Sequence, residues 1–144
     1  MATSYEISNG TTNVRLNSFR ASYSHSLLKC GETITDRQRT AQMLLNYLCD
    51  KFKINNVTLI VTTKPRPSKG RGEVYGTYYP SQKNIVIYNN TAKLHKPISI
   101  KSFYDTLLHE FIHHYDFEVL KLNESPHTTG FYKRITDLKN KLGD

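Results

Sequence analysis

The 144-residue sequence lacks tryptophan, contains only two cysteines and has no long apolar run. Its longest apolar stretches, such as residues 57–61, are about five residues long, whereas a helix that spans a membrane needs about 18. Residues 1–6 show no basic stretch followed by an apolar one, which argues against a secretory signal peptide. We therefore expect a protein without membrane contact that is cytoplasmic, or nuclear in a eukaryote.

Cysteine and, in the first half of the chain, acidic residues are scarce. Cys30 and Cys49 form neither a Cys-x-x-Cys pair nor a cluster, which excludes a zinc ribbon and a disulfide framework. Residues 1–72 hold eleven Lys and Arg but only four Asp and Glu, and the whole chain has a formal charge of +8. Such an excess favours contact with nucleic acid or another polyanion, although it also keeps an ordinary domain soluble.

Length and hydrophobic periodicity predict one α+β domain with a small mixed or antiparallel sheet packed on a long helix. Residues 1–34 are polar and aperiodic, which predicts an extended arm with a short helix near 19–28. The domain proper is expected at 35–144, where Thr35 and Gln38 form a capping-box pattern. Its predicted elements are a helix at 35–53, a strand at 57–63, a hairpin at 73–79 and 84–88, and helices at 99–120 and 129–142.

The long predicted helix contains the motif H-E-x-x-H, as His109-Glu110-Phe111-Ile112-His113. At about 100° per residue, His113 lies about 40° and Glu110 about 100° from His109, so the three polar side chains share one face. Two imidazoles four residues apart can chelate one metal ion with a carboxylate beside them. The opposite face is apolar and is expected to pack on the sheet. The alternative interpretation is three polar residues on a solvated face.

A hydrolytic zinc site needs three protein ligands and an open position for water, so a third ligand must complete the motif. A metzincin would have Gly and His three and six residues after His113, where this chain has Asp116 and Val119. A gluzincin would have a Glu further downstream, but no Glu follows Glu124. His127 remains as the candidate, on a loop that can fold back toward the helix. The alternative for His127 is an ordinary polar loop histidine.

These motifs resemble the SprT-like zinc metalloproteases, a family that includes the Spartan type that degrades proteins crosslinked to DNA. The family pattern is H-E-x-x-H, a spacer and H-x-x-x-F, and this chain matches it with residues 109–113 and 127–131. The preceding hairpin is similar in position, so the likeness spans residues 36–142. The resemblance implies a zincin-like domain in which Zn²⁺ is held by His109, His113 and His127, with Glu110 as general base.

The resemblance implies a zinc endopeptidase that acts on a protein or peptide substrate through metal-activated water, and we expect the chain to be a monomer. The strand predicted at 73–79 is an edge on which an extended peptide could add. A DNA-directed version of this enzyme would hold phosphates with Lys64, Arg66, Lys69 and Arg71, although these residues also suit an ordinary solvated loop. The cysteine-rich zinc subdomain of many relatives is absent from these 144 residues, so we expect any DNA contact to involve the catalytic domain itself.

A function of another class is also consistent with the sequence. The chain could be a zinc-stabilised module that binds nucleic acid or protein and has no protease activity. A purely structural zinc site has no need of a base, so the presence of Glu110 between the two histidines favours the enzyme.

Overall fold

The computed structural model describes residues 2–64, 75–91 and 94–143, and this part of the chain contains five helices and three strands. The helices are α1 (Ser4–Gly10), α2 (Ser22–Leu28), α3 (Ile34–Phe52), α4 (Ile100–Glu118) and α5 (Thr129–Lys141). The strands are β1 (Thr58–Thr62), β2 (Gly76–Tyr79) and β3 (Asn84–Tyr88). The predicted α+β class is confirmed. Within the described ranges, no helix is both long and apolar enough to cross a membrane.

The N-terminal segment differs from the expected extended arm, because it forms α1 in addition to the predicted helix. The Thr3 hydroxyl accepts a hydrogen bond from the Glu6 N–H at 3.1 Å, and the Glu6 carboxylate accepts one from the Thr3 N–H at 3.3 Å. This capping box begins α1, which has seven residues and is too short to show a hydrophobic repeat. The helix expected near residues 19–28 is confirmed as α2, and its Leu27 is fully buried.

The first long helix, α3, begins slightly earlier than predicted because Thr33, rather than Thr35, is its N-cap. The Thr33 hydroxyl accepts from the Asp36 N–H at 3.4 Å. The helix ends at Phe52, one residue before the predicted end, and its C-cap is Lys53, whose backbone is left-handed with φ 57°. Gln38 is therefore not part of the helix cap that the capping-box pattern predicts. Its side chain forms hydrogen bonds to the backbone of β1 instead.

Side chains of α3 occupy the outer edge of β1. Gln42 accepts from the Leu59 N–H at 2.8 Å and donates to the Val57 carbonyl at 2.9 Å. Gln38, one turn earlier, accepts from the Val61 N–H at 2.8 Å and donates to the Leu59 carbonyl at 2.5 Å. The two glutamines thus take the place of a neighbouring strand, which closes this edge to further strand pairing.

The three strands form a mixed sheet in the order β1-β3-β2. β1 is parallel to β3, with Leu59 opposite Ile85, and β2 is antiparallel to β3, with Gly76 opposite Ile87. The side chains of Leu59, Ile85 and Ile87 are buried in the core. Helix α3 packs against β1, whereas α4 packs against β2 and β3. Among the described residues, β2 is therefore the second edge of the sheet, and it lies beside the helix that carries H-E-x-x-H.

Helix α4 buries its apolar face in the core, as the sequence predicts. Phe111 and Tyr115 are almost completely buried. The ring of Tyr115 packs edge-on against Phe52 with 5.1 Å between centroids, and its hydroxyl accepts from the Arg15 N–H at 2.9 Å. These contacts orient α4 about its axis, so that His109 and His113 face away from the core.

Candidate metal centre

The loop before α5 brings His127 to the two histidines of α4. The Nε2 atom of His127 lies 3.0 Å from Nε2 of His113 and 3.3 Å from Nε2 of His109. One ligand atom from each of the three residues lies within 4.8 Å of the other two. The three residues could therefore hold a metal ion, and the expected fold-back of the loop toward the helix is present.

The spacing of the three nitrogens fits a metal ion. Four ligands at about 2.0–2.1 Å around a tetrahedral zinc ion are about 3.3 Å apart, close to the two separations to His127, 3.3 and 3.0 Å. Imidazole suits zinc, copper, iron and nickel, so the donor set indicates a transition metal without selecting one of them. His127 is exposed while the other two rings are partly covered, which leaves one side of the cluster accessible from solvent.

Burial keeps the two helix imidazoles in the form that binds metal. It lowers the pKa of His109 to about 4, with a further contribution from His127, and it lowers the pKa of His113 to about 3, with further contributions from His109, His127 and Arg134. Both rings are thus neutral near pH 7. A neutral imidazole has a free lone pair for a metal ion, so no proton has to be displaced when the ion binds.

Glu110, the middle residue of the motif, is buried beside the cluster and is only 4% exposed. Its Oε2 lies 3.9 Å from Nε2 of His109. Gly76, the first residue of β2, makes this packing possible: a Cβ there would lie 2.7 Å from Cγ2 of Thr106 and 3.1 Å from Cγ of Glu110. The carboxylate side chain is therefore held between the histidines and the edge strand.

A chain of hydrogen bonds extends from His113 away from the cluster. Its Nδ1 lies 2.7 Å from Oγ of Ser125, and that hydroxyl donates to Oδ2 of Asp116 at 2.7 Å. The guanidinium of Arg134 donates to both Asp116 oxygens, at 3.1 and 2.8 Å. Burial raises the pKa of Asp116, while the Arg134 guanidinium and the Ser125 hydroxyl oppose that rise. Both side chains of the ion pair are fully buried.

The same arginine ties α1 to the loop that carries His127. Arg134 donates to the Ser8 carbonyl at 2.6 Å and to the Ser8 hydroxyl at 3.0 Å. The Ser8 hydroxyl is 2.8 Å from Oγ1 of Thr128, which is the N-cap of α5. Gly130 permits this contact, because a Cβ there would collide with the carbonyl oxygens of Ser8 and Asn9. The N-terminal segment is thus part of the support of the site.

Phe131, the last residue of the H-x-x-x-F pattern, is a buried platform for the three histidines. Its ring centroid lies 4.6 Å from that of His113, 5.0 Å from His109 and 5.1 Å from His127. The Phe131 side chain is fully buried, so the surrounding core packs it against the three rings. The pattern thus pairs a ligand with the apolar surface against which that ligand packs.

His114 is not part of the cluster. Its Nε2 is 2.7 Å from the carbonyl oxygen of Asn55, and its Nδ1 is 2.7 Å from the Tyr78 hydroxyl. The ring is fully buried between α4, β2 and the segment after α3. Its two ring nitrogens are thus both engaged by groups outside the cluster, and its role is structural.

The four basic residues predicted to contact DNA are only partly covered by the structure. Lys64 is exposed just after β1, and its N–H donates to the Thr62 hydroxyl at 3.1 Å. Arg66, Lys69 and Arg71 lie outside the described residues.

Sequence reasoning missed the residues that support the ligands. Asp116 is three residues after His113, and at about 100° per residue it lies about 20° from His109, so a helical-wheel analysis could have placed it on the histidine face. Arg134 and Ser125 had no such signal, because each reaches the network only through tertiary contacts.

Comparisons with known proteins identify no protein that is similar to this chain. No family model matches the chain, and neither does a curated protein or a solved structure. The candidate site therefore stands on the chemistry and geometry of its own residues.

Proposed function

We propose that this protein is a zinc-dependent endopeptidase with a zincin-like domain. The observation that supports this proposal most strongly is the convergence of three imidazole nitrogens next to a buried carboxylate. His109, His113 and His127 would hold Zn²⁺, and Glu110 would be the general base. A structural zinc site is usually closed by four protein ligands, whereas three ligands with an accessible side are typical of hydrolytic sites.

In this proposal the ion and the carboxylate have separate tasks. When bound, zinc supplies Lewis acidity that polarises a carbonyl group and makes water a better nucleophile. Glu110 accepts the proton of the attacking water and passes it, as a carboxylic acid, to the leaving amine nitrogen. Its position between the histidines and β2 favours this transfer, because the group that loses the proton and the group that gains it would both lie near one carboxylate.

The sheet suggests where a substrate would bind. The outer edge of β1 is closed by Gln38 and Gln42, so β2 is the described edge strand that side chains of α3 do not cover. Gly76 at the start of β2 lies against Glu110, and Tyr79 at its end is 40% exposed. An extended peptide paired with β2 would therefore pass the candidate base. Backbone pairing reads side chains weakly, so we expect broad specificity toward unfolded segments.

The resemblance to SprT-like proteases supports the same proposal. The match includes the three candidate ligands, the candidate base and Phe131, whose ring lies under the histidines. A family pattern whose residues meet in one place is stronger support than the same letters dispersed over a surface.

The test is zinc stoichiometry together with cleavage of an unfolded protein substrate. We expect one zinc per chain, and we expect Glu110→Gln to retain zinc while lowering cleavage by about 100-fold or more. Glu124→Gln is the matched control, because Glu124 is exposed and should leave both properties unchanged. Equal cleavage by Glu110→Gln and the parent would refute the role of Glu110. One bound zinc without any cleavage by the parent would favour the binding module.

The DNA-directed role stays a prediction that salt can test. If Lys64, Arg66, Lys69 and Arg71 neutralise phosphates, binding of single- or double-stranded DNA should weaken steeply as salt rises. Replacing the four residues by Ala should reduce both the affinity and its dependence on salt. The absence of binding at low salt would exclude a role for DNA.

A further inference from the structure

The hydrogen bonds behind His113 determine which of its two nitrogens can bind a metal. This inference rests on the proposed metal site and adds residues that act on it from outside. The relevant groups are His113, Ser125 and Asp116, followed by Arg134, and they are joined in that order by contacts of 2.7 to 3.1 Å.

The direction of each hydrogen bond follows from the groups present. Arg134 has only donors, so the Asp116 carboxylate accepts from it at both oxygens. The Ser125 hydroxyl has a single hydrogen, and it donates this hydrogen to Oδ2 of Asp116. Oγ of Ser125 can therefore only accept from Nδ1 of His113. The proton of the His113 ring thus resides on Nδ1, and the lone pair of Nε2 faces His127.

We propose that Ser125 is a positioning residue that, anchored by Asp116, holds His113 in the tautomer and orientation required of a metal ligand. Arg134 keeps Asp116 fixed as the acceptor at the end of the chain. Ser125 lies two residues before His127, so the same short loop supplies one ligand and the partner that orients another. Closure of this loop onto α4 would assemble both features at once.

The first test measures the tautomer directly in the metal-free protein. Long-range proton–nitrogen NMR correlations of a histidine-labelled sample should place the His113 proton on Nδ1 in the parent. Ser125→Ala removes the acceptor without touching the Asp116–Arg134 ion pair, and it should change the His113 nitrogen shifts toward a mixture of tautomers. Ser125→Thr keeps a hydroxyl and should restore the parent pattern. An unchanged His113 pattern in Ser125→Ala would overturn the proposal.

The second test measures zinc affinity by competition with a chromophoric chelator. Loss of a partner that orients a ligand typically weakens metal binding about 10- to 100-fold, and we expect this loss for Ser125→Ala and its recovery in Ser125→Thr. Ser26→Ala, on the exposed side of α2, is the matched control and should bind zinc like the parent. Equal zinc affinity of Ser125→Ala and the parent, or an equal loss in Ser125→Ala and Ser125→Thr, would overturn the proposal.

The two proposals fail in different ways. If the parent binds zinc but cleaves nothing, the endopeptidase proposal fails, and both tests of Ser125 still apply. If the parent binds no zinc, the proposed function fails outright, and the tautomer of His113 in the metal-free protein decides the role of Ser125. Circular dichroism and thermal unfolding of each variant ensure that the compared proteins are folded.

Discussion

The surroundings of His113 and His114 differ sharply, although the two residues are neighbours on α4. The Nε2 of His113 faces His127, and its Nδ1 contacts a serine that is held by a buried ion pair. The Nε2 of His114 faces the Asn55 carbonyl, which can only accept, so this nitrogen carries the proton. A step of about 100° around the helix thus separates a candidate ligand from a structural histidine with the opposite tautomer.

This difference shows that residue type alone does not make a ligand. Both rings are imidazoles on the same helix, and burial lowers the pKa of both. The partner on the far side of each ring decides which nitrogen has a free lone pair. Replacing one histidine at a time tests whether the two rings have these different roles.

The largest expected effect concerns zinc binding by the two variants. His113→Ala should weaken zinc binding by more than about 100-fold, because a lost ligand costs more than a lost supporting group. His114→Ala should keep one zinc per chain, since its ring makes no contact with the cluster and its partners are Asn55 and Tyr78. Chelator competition on both variants provides the measurement. An equal loss of affinity in the two variants would contradict the distinction drawn between the two rings.

The next effect is the loss of stability of the metal-free protein in acid. The histidines of the unfolded chain bind protons near pH 6.5, whereas burial lowers the pKa of His109 to about 4 and of His113 to about 3 in the folded state. The unfolded state therefore holds more protons between these values, and stability falls as the pH drops from about 6.5 toward 4. Each histidine contributes a slope of up to about 1.4 kcal/mol per pH unit.

Denaturant unfolding between pH 7 and pH 4.5 measures this slope. His113→Gln removes one of the two titrating rings and should flatten the dependence. The same slope in this variant and the parent would show that His113 is not a source of the acid sensitivity.

The smallest effect concerns the hydrogen bond between Tyr78 and His114. Tyr78→Phe removes the only donor among the described residues to Nδ1 of His114, and it should lower the free energy of unfolding by about 1 kcal/mol. Zinc affinity should not change. Tyr79→Phe, one residue later and 40% exposed, is the control for loss of a hydroxyl on the same strand. Reduced zinc binding in Tyr78→Phe would mean that the His114 region and the metal centre are coupled.

Much of the fold could be predicted because its determinants are local. The apolar stripe that includes Leu44 and Leu48 predicts α3, and the β-branched residues of β3 predict a strand. The errors occur where a local pattern was short or had two interpretations. Thr33 and Thr35 can both begin a helix, and the structure shows that Thr33 is the cap while the Gln38 side chain binds to β1. The sequence pattern does not predict α1, because its seven residues follow a capping box but contain no hydrophobic repeat.

The helical repeat places His109, Glu110 and His113 on one face of a helix whose opposite face is apolar, because it fixes the angle between nearby residues regardless of the rest of the chain. Tertiary contacts bring His127 to these residues and make Ser125, rather than solvent, the acceptor of the hydrogen bond from Nδ1 of His113. They also let α1 support the site through Ser8 and Arg134. Those contacts join residues between 12 and 126 positions apart. No periodicity encodes such separations, since they arise only when loops close and buried polar groups must find partners.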